Sequence, residues 1–387
     1  MQIQYRKLSD NEISYMKFRN INGNFFQILF ECENNGINVI EINKALKELF
    51  NISKYLNLFI HNKEFVFDKR QIEVKCIEDT LNFNGYNFNT MDIFAMPLID
   101  DLMDVYMFRG AKNDYLLFRF NHSYVDGQGA LCIIKALISI LNNKSVNYEI
   151  SFESDYEYAM KKGIVKFSEN LWYRNRINDL KVKSKDKGMY FKRIQINANV
   201  NAILSKVISI INSFYENDKL TYLIPTNIRN KEEQLINISN LTLPLYLNLD
   251  KSDSWNDIYM KMYQGVKDKR NLNLLNIKHA FVNKVNYSVF NRLIKVSKAI
   301  QIRKKRFFTA GCITNLGIID KKNYECDKIK WKSVIDIPFY QPLFPFAIAI
   351  VENVDGIEIT LASDKEIINE QKANEILAKI KSEVEYI

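Results

Sequence analysis

Histidine is rare in this sequence, which contains three histidines among 387 residues. His122 follows a strand-like apolar run at 115–120 and stands four residues before Asp126, which Gly127 follows directly. An apolar, helix-like run begins at Ala130. Because an imidazole has a pKa of about 6.5, it can remove a proton from a hydroxyl or an amine at neutral pH. The residue types therefore predict general-base chemistry at a junction between a strand and a helix.

Asp126 has two interpretations. It could orient His122 directly, or it could anchor the connecting loop through an arginine, and the tight connection favours the anchor. Gly127 and Gly129 stand at the start of the predicted helix, where close backbone approach and unpaired N–H groups could stabilise an oxyanion. The structural alternative is a buried histidine that only ends an internal strand, since short motifs recur by chance.

Two further segments place polar residues at the ends of predicted strands. Pro225-Thr-Asn-Ile-Arg229 follows an apolar strand at 220–225, and Thr314-Asn-Leu-Gly317 ends another at 307–316. With His-x-x-x-Asp-Gly, they occur in the order seen in the acyltransferase superfamily of chloramphenicol acetyltransferase, nonribosomal-peptide condensation domains, alcohol acetyltransferases and wax-ester synthases. The chain resembles this superfamily over essentially its whole length. The two later segments are most similar to the alcohol acetyltransferase and wax-ester synthase branch.

The resemblance implies an α/β (α+β) fold with two chloramphenicol acetyltransferase-like lobes, each a mixed sheet flanked by helices. It places a tunnel between the lobes. His122 would be the general base in this tunnel, Gly127 would belong to the motif, and Asp126 would be held by an arginine such as Arg229. Many members carry a second histidine where this chain has Asn121.

The resemblance also implies a substrate-binding set around the tunnel, which comprises Asn227, Arg229, Thr314 and Asn315. The implied activity is transfer of an acyl group from acyl-CoA, as a co-substrate, to a small-molecule alcohol or amine. No permanently bound cofactor is expected. One alternative is a free-standing condensation-type enzyme whose acyl donor is the phosphopantetheine of an acyl carrier protein. A further alternative is a non-catalytic binding member of the fold.

Hydrophobic periodicity predicts two lobes, at 1–178 and 179–387, with 181–188 as a linker. Strands are predicted at 24–32, 64–67, 72–77, 98–108, 114–120, 189–196, 220–225, 241–249, 307–316, 346–351 and 357–362. Helices are predicted at 42–58, 130–141, 200–215, 254–269 and 370–386. The segment 143–190 is otherwise expected to be irregular.

The formal net charge of +9 favours anionic partners such as coenzyme A. Basic clusters at 181–193 and 303–306 could dock an acidic carrier protein, and without a recognition motif they do not indicate nucleic acid. The five cysteines form no Cys-x-x-Cys pair, so no metal is expected. The N-terminus has no signal-like region, and the most apolar stretch, 338–351, is too short to cross a membrane. A cytoplasmic protein is expected.

Overall fold

The fold is given by a computed structural model that describes residues 3–22, 24–33, 37–68, 71–77, 80, 82–96, 101–110, 112–146, 151–166, 175–177, 188–230, 237–274, 284–324, 326 and 329–385. The helices are α1 (Asp10–Asn22), α2 (Val39–Ile52), α3 (Gly127–Leu141), α4 (Asp155–Lys162), α5 (Ile203–Asn212), α6 (Trp255–Lys267), α7 (Tyr287–Lys304) and α8 (Glu370–Glu385). The strands are β1 (Ile3–Lys7), β2 (Phe25–Cys32), β3 (Leu58–His61), β4 (Glu64–Phe67), β5 (Val74–Ile77), β6 (Met103–Arg109), β7 (Asp114–Asn121), β8 (Met189–Ile196), β9 (Lys219–Asn227), β10 (Thr242–Asp250), β11 (Gly311–Ile319), β12 (Trp331–Ile337), β13 (Phe346–Asn353) and β14 (Gly356–Asp364). None of these helices is both long enough and apolar enough to span a bilayer.

The strands form two large mixed sheets and one small sheet. The five-stranded sheet has the order β12-β2-β7-β6-β5, and the six-stranded sheet has the order β10-β9-β11-β13-β14-β8. In the first, only β5 and β6 run parallel; in the second, β11 runs parallel to both of its neighbours. The strands β1, β4 and β3 form a separate antiparallel sheet, in the order β1-β4-β3, that shares no strand with the two large sheets. The predicted α/β class with mixed sheets flanked by helices is confirmed.

The five-stranded sheet is covered on both faces. On β2, Ile28 and Phe30 belong to an apolar cluster with α2 and α3, whereas Leu29 between them belongs to the cluster built around the six-stranded sheet. Successive side chains of a strand point to opposite faces, so this sheet lies between helices on one side and the second lobe on the other. All eight residues of β7 are buried for the same reason. This is why apolar side chains occur on both faces of β2 and β7 and the two strands do not alternate between apolar and polar residues.

One strand crosses from the C-terminal half of the chain into the first sheet. β12 pairs antiparallel with β2, with Asp336 opposite Ile28. All strands of the six-stranded sheet come from residues 189–364, whereas the five-stranded sheet combines residues 25–121 with 331–337. The lobe boundary at 178/179 stays a prediction, and the predicted linker at 181–188 lies outside the described residues apart from Gly188.

The local sequence patterns predict most of the elements that the two large sheets contain. β4 and β8 have the predicted bounds, and the helix predicted at 42–58 is α2, which spans Val39–Ile52 and is followed by a short 3-10 turn. The strand predicted from residue 307 begins at Gly311. Element ends differ by several residues because capping and tertiary contacts decide where an element stops.

Several elements are missing from the sequence prediction, among them α1, α4, α7, β3 and β12. α4 lies within the segment expected to be irregular, where a capping box at Ser154 starts a helix of only eight residues. On α7, Phe290 and Ile294 are buried while the apolar Val289 and Leu293 are exposed, so no clean helical stripe is visible. In β12, the buried polar residues Ser333 and Asp336 interrupt the apolar run.

A buried ion-pair cluster joins the two lobes. Arg193 on β8 forms two 2.8 Å hydrogen bonds with Glu358 on β14, and it lies 3.3 Å from Glu31 on β2. It also donates to the carbonyl of Gly85 at 2.9 Å. The side chain is 1% exposed, so Arg193 is not part of a basic docking surface as the sequence suggested.

Replacing Arg193 by methionine is expected to destabilise the fold by about 3–5 kcal/mol, because Glu358 would stay buried without its partner. Urea unfolding measures the effect. The matched control is Lys192→Met, since Lys192 makes a partly exposed bridge of 2.7 Å to Glu370 and its loss should cost below about 1 kcal/mol. Equal losses for the two variants would contradict the assigned role of Arg193.

Candidate active site

His122 lies in the short connection between β7 and α3. Its backbone N–H donates to the carbonyl of Asn24 at 2.7 Å. Next to it, the Asn121 side chain accepts hydrogen bonds from the Asn24 amide at 2.8 Å and from the Ser123 N–H at 3.0 Å. Asn121, which occupies the position of the additional histidine in the resembled superfamily, therefore stabilises the turn that carries His122.

Three aromatic rings surround the His122 imidazole. Tyr15 stacks on it, with ring centroids 4.1 Å apart and planes inclined by 11°. Phe26 and Phe339 present their edges or faces at 5.0 and 5.4 Å. These rings come from α1, β2 and the segment after β12, so the pocket around the imidazole is assembled from distant parts of the chain.

This environment decides the protonation state of His122. Burial lowers the pKa of the imidazole to about 4, and the charge of Asp126 and hydrogen bonds to the backbone of His122 and Val125 offset that effect only in part. Burial acts in this direction because the apolar surroundings disfavour the charged ring. At pH 7 the ring is therefore neutral, as a general base must be.

Asn240 holds His122 from the second lobe. Its side-chain amide donates to the His122 carbonyl at 2.7 Å and lies 3.2 Å from ring atom Nδ1. The backbone N–H of Asn240 also donates to the carbonyl of Tyr124 at 3.1 Å. The sequence offers only a weak signal for this residue, namely its place in the segment Asn240–Pro244 that follows the Pro-x-Asn-x-Arg element.

Asp126 caps α3 and anchors the loop. Its carboxylate accepts from the Gly129 N–H at 2.9 Å, the Leu241 N–H at 2.9 Å and the Thr242 hydroxyl at 2.8 Å. Arg229 adds two hydrogen bonds, at 2.8 and 2.9 Å. Burial alone would raise the pKa of Asp126, but the Arg229 charge and these hydrogen bonds lower it below its usual value. These contacts match the interpretation of Asp126 as an anchor of the loop, and not as a residue that orients His122 directly.

Arg229 faces the protein interior and does not line the cavity described below. Its guanidinium is fully buried and also donates to the Asn237 carbonyl at 3.0 Å, the Asn227 amide oxygen at 3.1 Å and the Ser239 carbonyl. A side chain saturated in this way positions the loop and has no free donor face for a substrate.

Gly127 and Gly129 let the second lobe approach the start of α3. A Cβ on Gly127 would lie 2.3 Å from the Leu316 side chain, and one on Gly129 would lie 2.2 Å from the backbone oxygen of Ile238. Both neighbours belong to the second lobe. Close packing against backbone atoms therefore requires a glycine at position 129, whereas at position 127 a Cβ would displace only the end of the Leu316 side chain.

Thr314 and Asn315 lie on β11 where its pairing with β13 is interrupted. The Asn315 side chain accepts from the Gly317 N–H at 2.7 Å and donates to Glu352 at 2.9 Å. Gly317 has a φ of 82°, which the bulge requires. The same bulge turns the carbonyl of Leu316 toward the Gln128 amide on α3, at 2.8 Å.

A cavity of about 390 Å³ opens between the lobes. Its volume lies within the range of small-molecule pockets, roughly 300–1,000 Å³. Apolar side chains such as Phe18, Phe290 and Phe344 form much of its wall. Six of the seven residues predicted from the sequence line it, namely His122, Asp126, Gly127, Asn227, Thr314 and Asn315. Within the described ranges, no group of three His, Cys, Asp or Glu residues could hold a metal ion.

No protein-family model and no curated protein matches this sequence. Solved structures do match. The condensation domain from the monacolin K polyketide synthase MokA has a TM-score of 0.64 and 10% identity, covering 100% of this chain and 97% of that one. The starter condensation domain of rhizomide synthetase in complex with C8-CoA gives 0.63 and 10%, with 99% and 94% covered. Polyketide synthase associated protein 5 from Mycobacterium tuberculosis gives 0.63 and 10%, with 99% and 98% covered.

These similarities extend over 99–100% of the chain and show its fold. The protein has the two-lobe fold of condensation domains, as the resemblance of its motifs implied. Because sequence identity is so low, the likeness carries the fold alone, and the function has to be argued from the site.

If Asp126 is the anchor that its contacts indicate, replacing it by asparagine should destabilise the fold by about 3–5 kcal/mol, since Arg229 would remain buried without its counter-charge. The control Thr242→Val removes one neutral donor to the same carboxylate and should cost about 1 kcal/mol. In a double-mutant cycle with Arg229→Met, chemical denaturation should show strong coupling between positions 126 and 229. Additive losses would exclude the ion pair as the main role of Asp126.

Proposed function

We propose that this protein is an acyltransferase that moves an acyl group from a thioester donor, acyl-CoA, to the hydroxyl or amino group of a small acceptor. The observation that carries this proposal is a neutral imidazole, His122, on the wall of a cavity between two lobes. The segments at 225–229 and 314–317 support the alcohol acetyltransferase and wax-ester synthase branch in particular.

In the proposed reaction, His122 removes the proton of the acceptor nucleophile as that atom attacks the thioester carbonyl. Nε2 acts as the base in the tautomer that carries its proton on Nδ1; in that tautomer the Asn240 amide, which lies 3.2 Å from Nδ1, donates to the His122 carbonyl and not to the ring. The C–S bond then breaks, and the leaving thiolate takes the proton from His122. Base and proton are restored at the end of the cycle, so no other reactant is needed.

Negative charge develops on the carbonyl oxygen of the thioester during the attack. Two kinds of hydrogen-bond donor on the cavity wall are candidates to stabilise it. The first N–H groups of α3, at Gly127 and Gln128, have no intrahelical acceptor by their position, and the helix N-terminus carries partial positive charge. The Thr314 hydroxyl lines the same cavity. Such preorganised donors in a water-poor site lower the barrier because they need no reorganisation during the reaction.

The second candidate donor is an acyl group on a carrier protein. It is supported by the neighbours in fold, which include condensation domains of a polyketide synthase and of the calcium-dependent antibiotic synthetase. The fold is also compatible with CoA, because a starter condensation domain has been solved in complex with C8-CoA. The two donors share the phosphopantetheine thioester, and His122 would do the same chemistry with either.

Substitution of His122 by alanine should lower the rate of acyl transfer by about 10²–10⁴-fold, because the general base is lost. Release of free thiol from acyl-CoA is followed in the presence of a panel of alcohols and amines, with acyl carrier protein as a parallel donor. His61→Ala is the matched control, since His61 lies on the exposed end of β3. Full activity of His122→Ala would rule out the mechanism, and no transfer from either donor would favour a non-catalytic binding protein.

The pH dependence of kcat/KM provides a separate test. Because burial lowers the pKa of His122 to about 4, the base should stay unprotonated as pH falls from 7 and should be lost only near pH 4. The neighbouring Asp126 keeps its charge over this range, since its pKa is lowered too. Circular dichroism at each pH would verify folding, because an unfolded chain would protonate the same histidine at about pH 6.5. Half-maximal activity near pH 6.5 would contradict a buried base.

A further inference from the structure

A second carboxyl group lines the cavity and has no role in the proposed reaction. Asp336 on β12 is 5% exposed. Its Oδ1 atom has no hydrogen-bond partner among the described residues, and it forms no ion pair among them. A buried polar group without a partner costs free energy, so Asp336 differs from Asp126, whose carboxylate is fully satisfied.

The position of Asp336 in the sheet brings it near the imidazole. Asp336 pairs with Ile28 of β2, and residues opposite each other in a sheet point to the same face. Phe26, two residues before Ile28, shares that face, and its ring contacts His122. Phe339, three residues after Asp336, contacts His122 as well. The two groups therefore line one cavity, to whose wall Phe26 and Phe339 also belong.

The residues described on the cavity wall provide no cation to balance this carboxylate. Its lining in the described part of the chain contains neither lysine nor arginine. Burial alone raises the pKa of Asp336 to about 7, as expected for a carboxyl that lacks a counter-charge. A bound cation would reverse that shift, because an opposite charge within hydrogen-bond distance favours the ionised form.

We infer that Asp336 binds an amino group of the acceptor, so that the acceptor is an amine-bearing, largely apolar molecule. This inference rests on the proposed acyl transfer and specifies its acceptor. The ammonium pairs with Asp336, the apolar body lies against the phenylalanine wall, and the nucleophilic atom of the acceptor reaches His122. Of the ionisable groups on the cavity wall, Asp336 thus selects the acceptor and His122 activates it.

Ligand binding tests the inference without requiring turnover. Isothermal titration calorimetry compares n-hexylamine with 1-hexanol, which differ in the terminal amino and hydroxyl groups. The wild-type protein should bind hexylamine at least tenfold more tightly, and Asp336→Asn and Asp336→Leu should weaken hexylamine binding by about 10–100-fold, as expected for a hydrogen bond to a charged group. Asp104→Asn is the matched carboxyl-to-amide control, because Asp104 pairs with Lys75 and does not line the cavity.

Stability separates a binding role from a structural one. Removing a buried carboxyl that lacks a partner should leave the melting temperature of Asp336→Asn and Asp336→Leu unchanged or higher. A clear loss of stability in both variants would reveal a structural partner and overturn the inference. Equal affinity of the wild-type protein for amine and alcohol would overturn it as well, and so would an amine preference that survives in both variants.

Acyl transfer to 6-amino-1-hexanol and to 1-hexanol separates the two proposals. Transfer that depends on His122 but shows no preference for the amino compound leaves the acyltransferase standing and rejects the role of Asp336. Amine binding that depends on Asp336, without acyl transfer from either donor, supports the binding role of Asp336 and rejects the acyltransferase. A preference of at least tenfold in kcat/KM, reduced in Asp336→Asn, supports both.

Discussion

The arrangement of the candidate active site depends on the buried ion pair between Asp126 and Arg229. Its two charges are almost fully removed from water, with side-chain exposures of 2% and 0%. Neither would be tolerated alone, because an uncompensated buried charge is strongly destabilising. The pair holds the start of α3 against the β9–β10 region. It therefore fixes, through the backbone, the place of the histidine four residues earlier.

His122 is held by contacts from both lobes. Asn24 fixes its backbone from the first lobe, and Asn240 holds it from the second. The stacked ring of Tyr15 and the neighbouring ring of Phe26 restrict the imidazole and shield part of its surface from water. The same burial that keeps the ring neutral also makes it a weaker base than a solvated histidine. A site of this kind depends on positioning and on stabilisation of the developing charge more than on basicity.

The cavity exists because the chain returns to its first sheet after building most of the second. β12 brings Asp336 to the edge of the five-stranded sheet, and the following segment brings Phe339 over His122. The contact between Gln128 and the β11 bulge, together with the absence of a side chain at Gly129, sets how closely the lobes approach. Chemistry and acceptor recognition can therefore lie in one cavity although their residues are some 200 positions apart in the chain.

The sequence by itself determines the strand, turn and helix around His122, the α/β class, and six residues that line the cavity. These depend on local spacing: apolar periodicity, a capping aspartate, and glycines where the backbone needs room. The resemblance named Arg229, 103 residues away, as one candidate partner of Asp126; only the tertiary structure shows that the two residues form the ion pair and that Arg229 does not face the cavity. It likewise revealed Asn240, the crossing of β12 and the unpaired Asp336. Contacts between residues far apart in the chain produce no periodic pattern in the sequence, so they cannot be predicted from it. Burial, which depends on these contacts, sets the pKa values that the proposed chemistry needs.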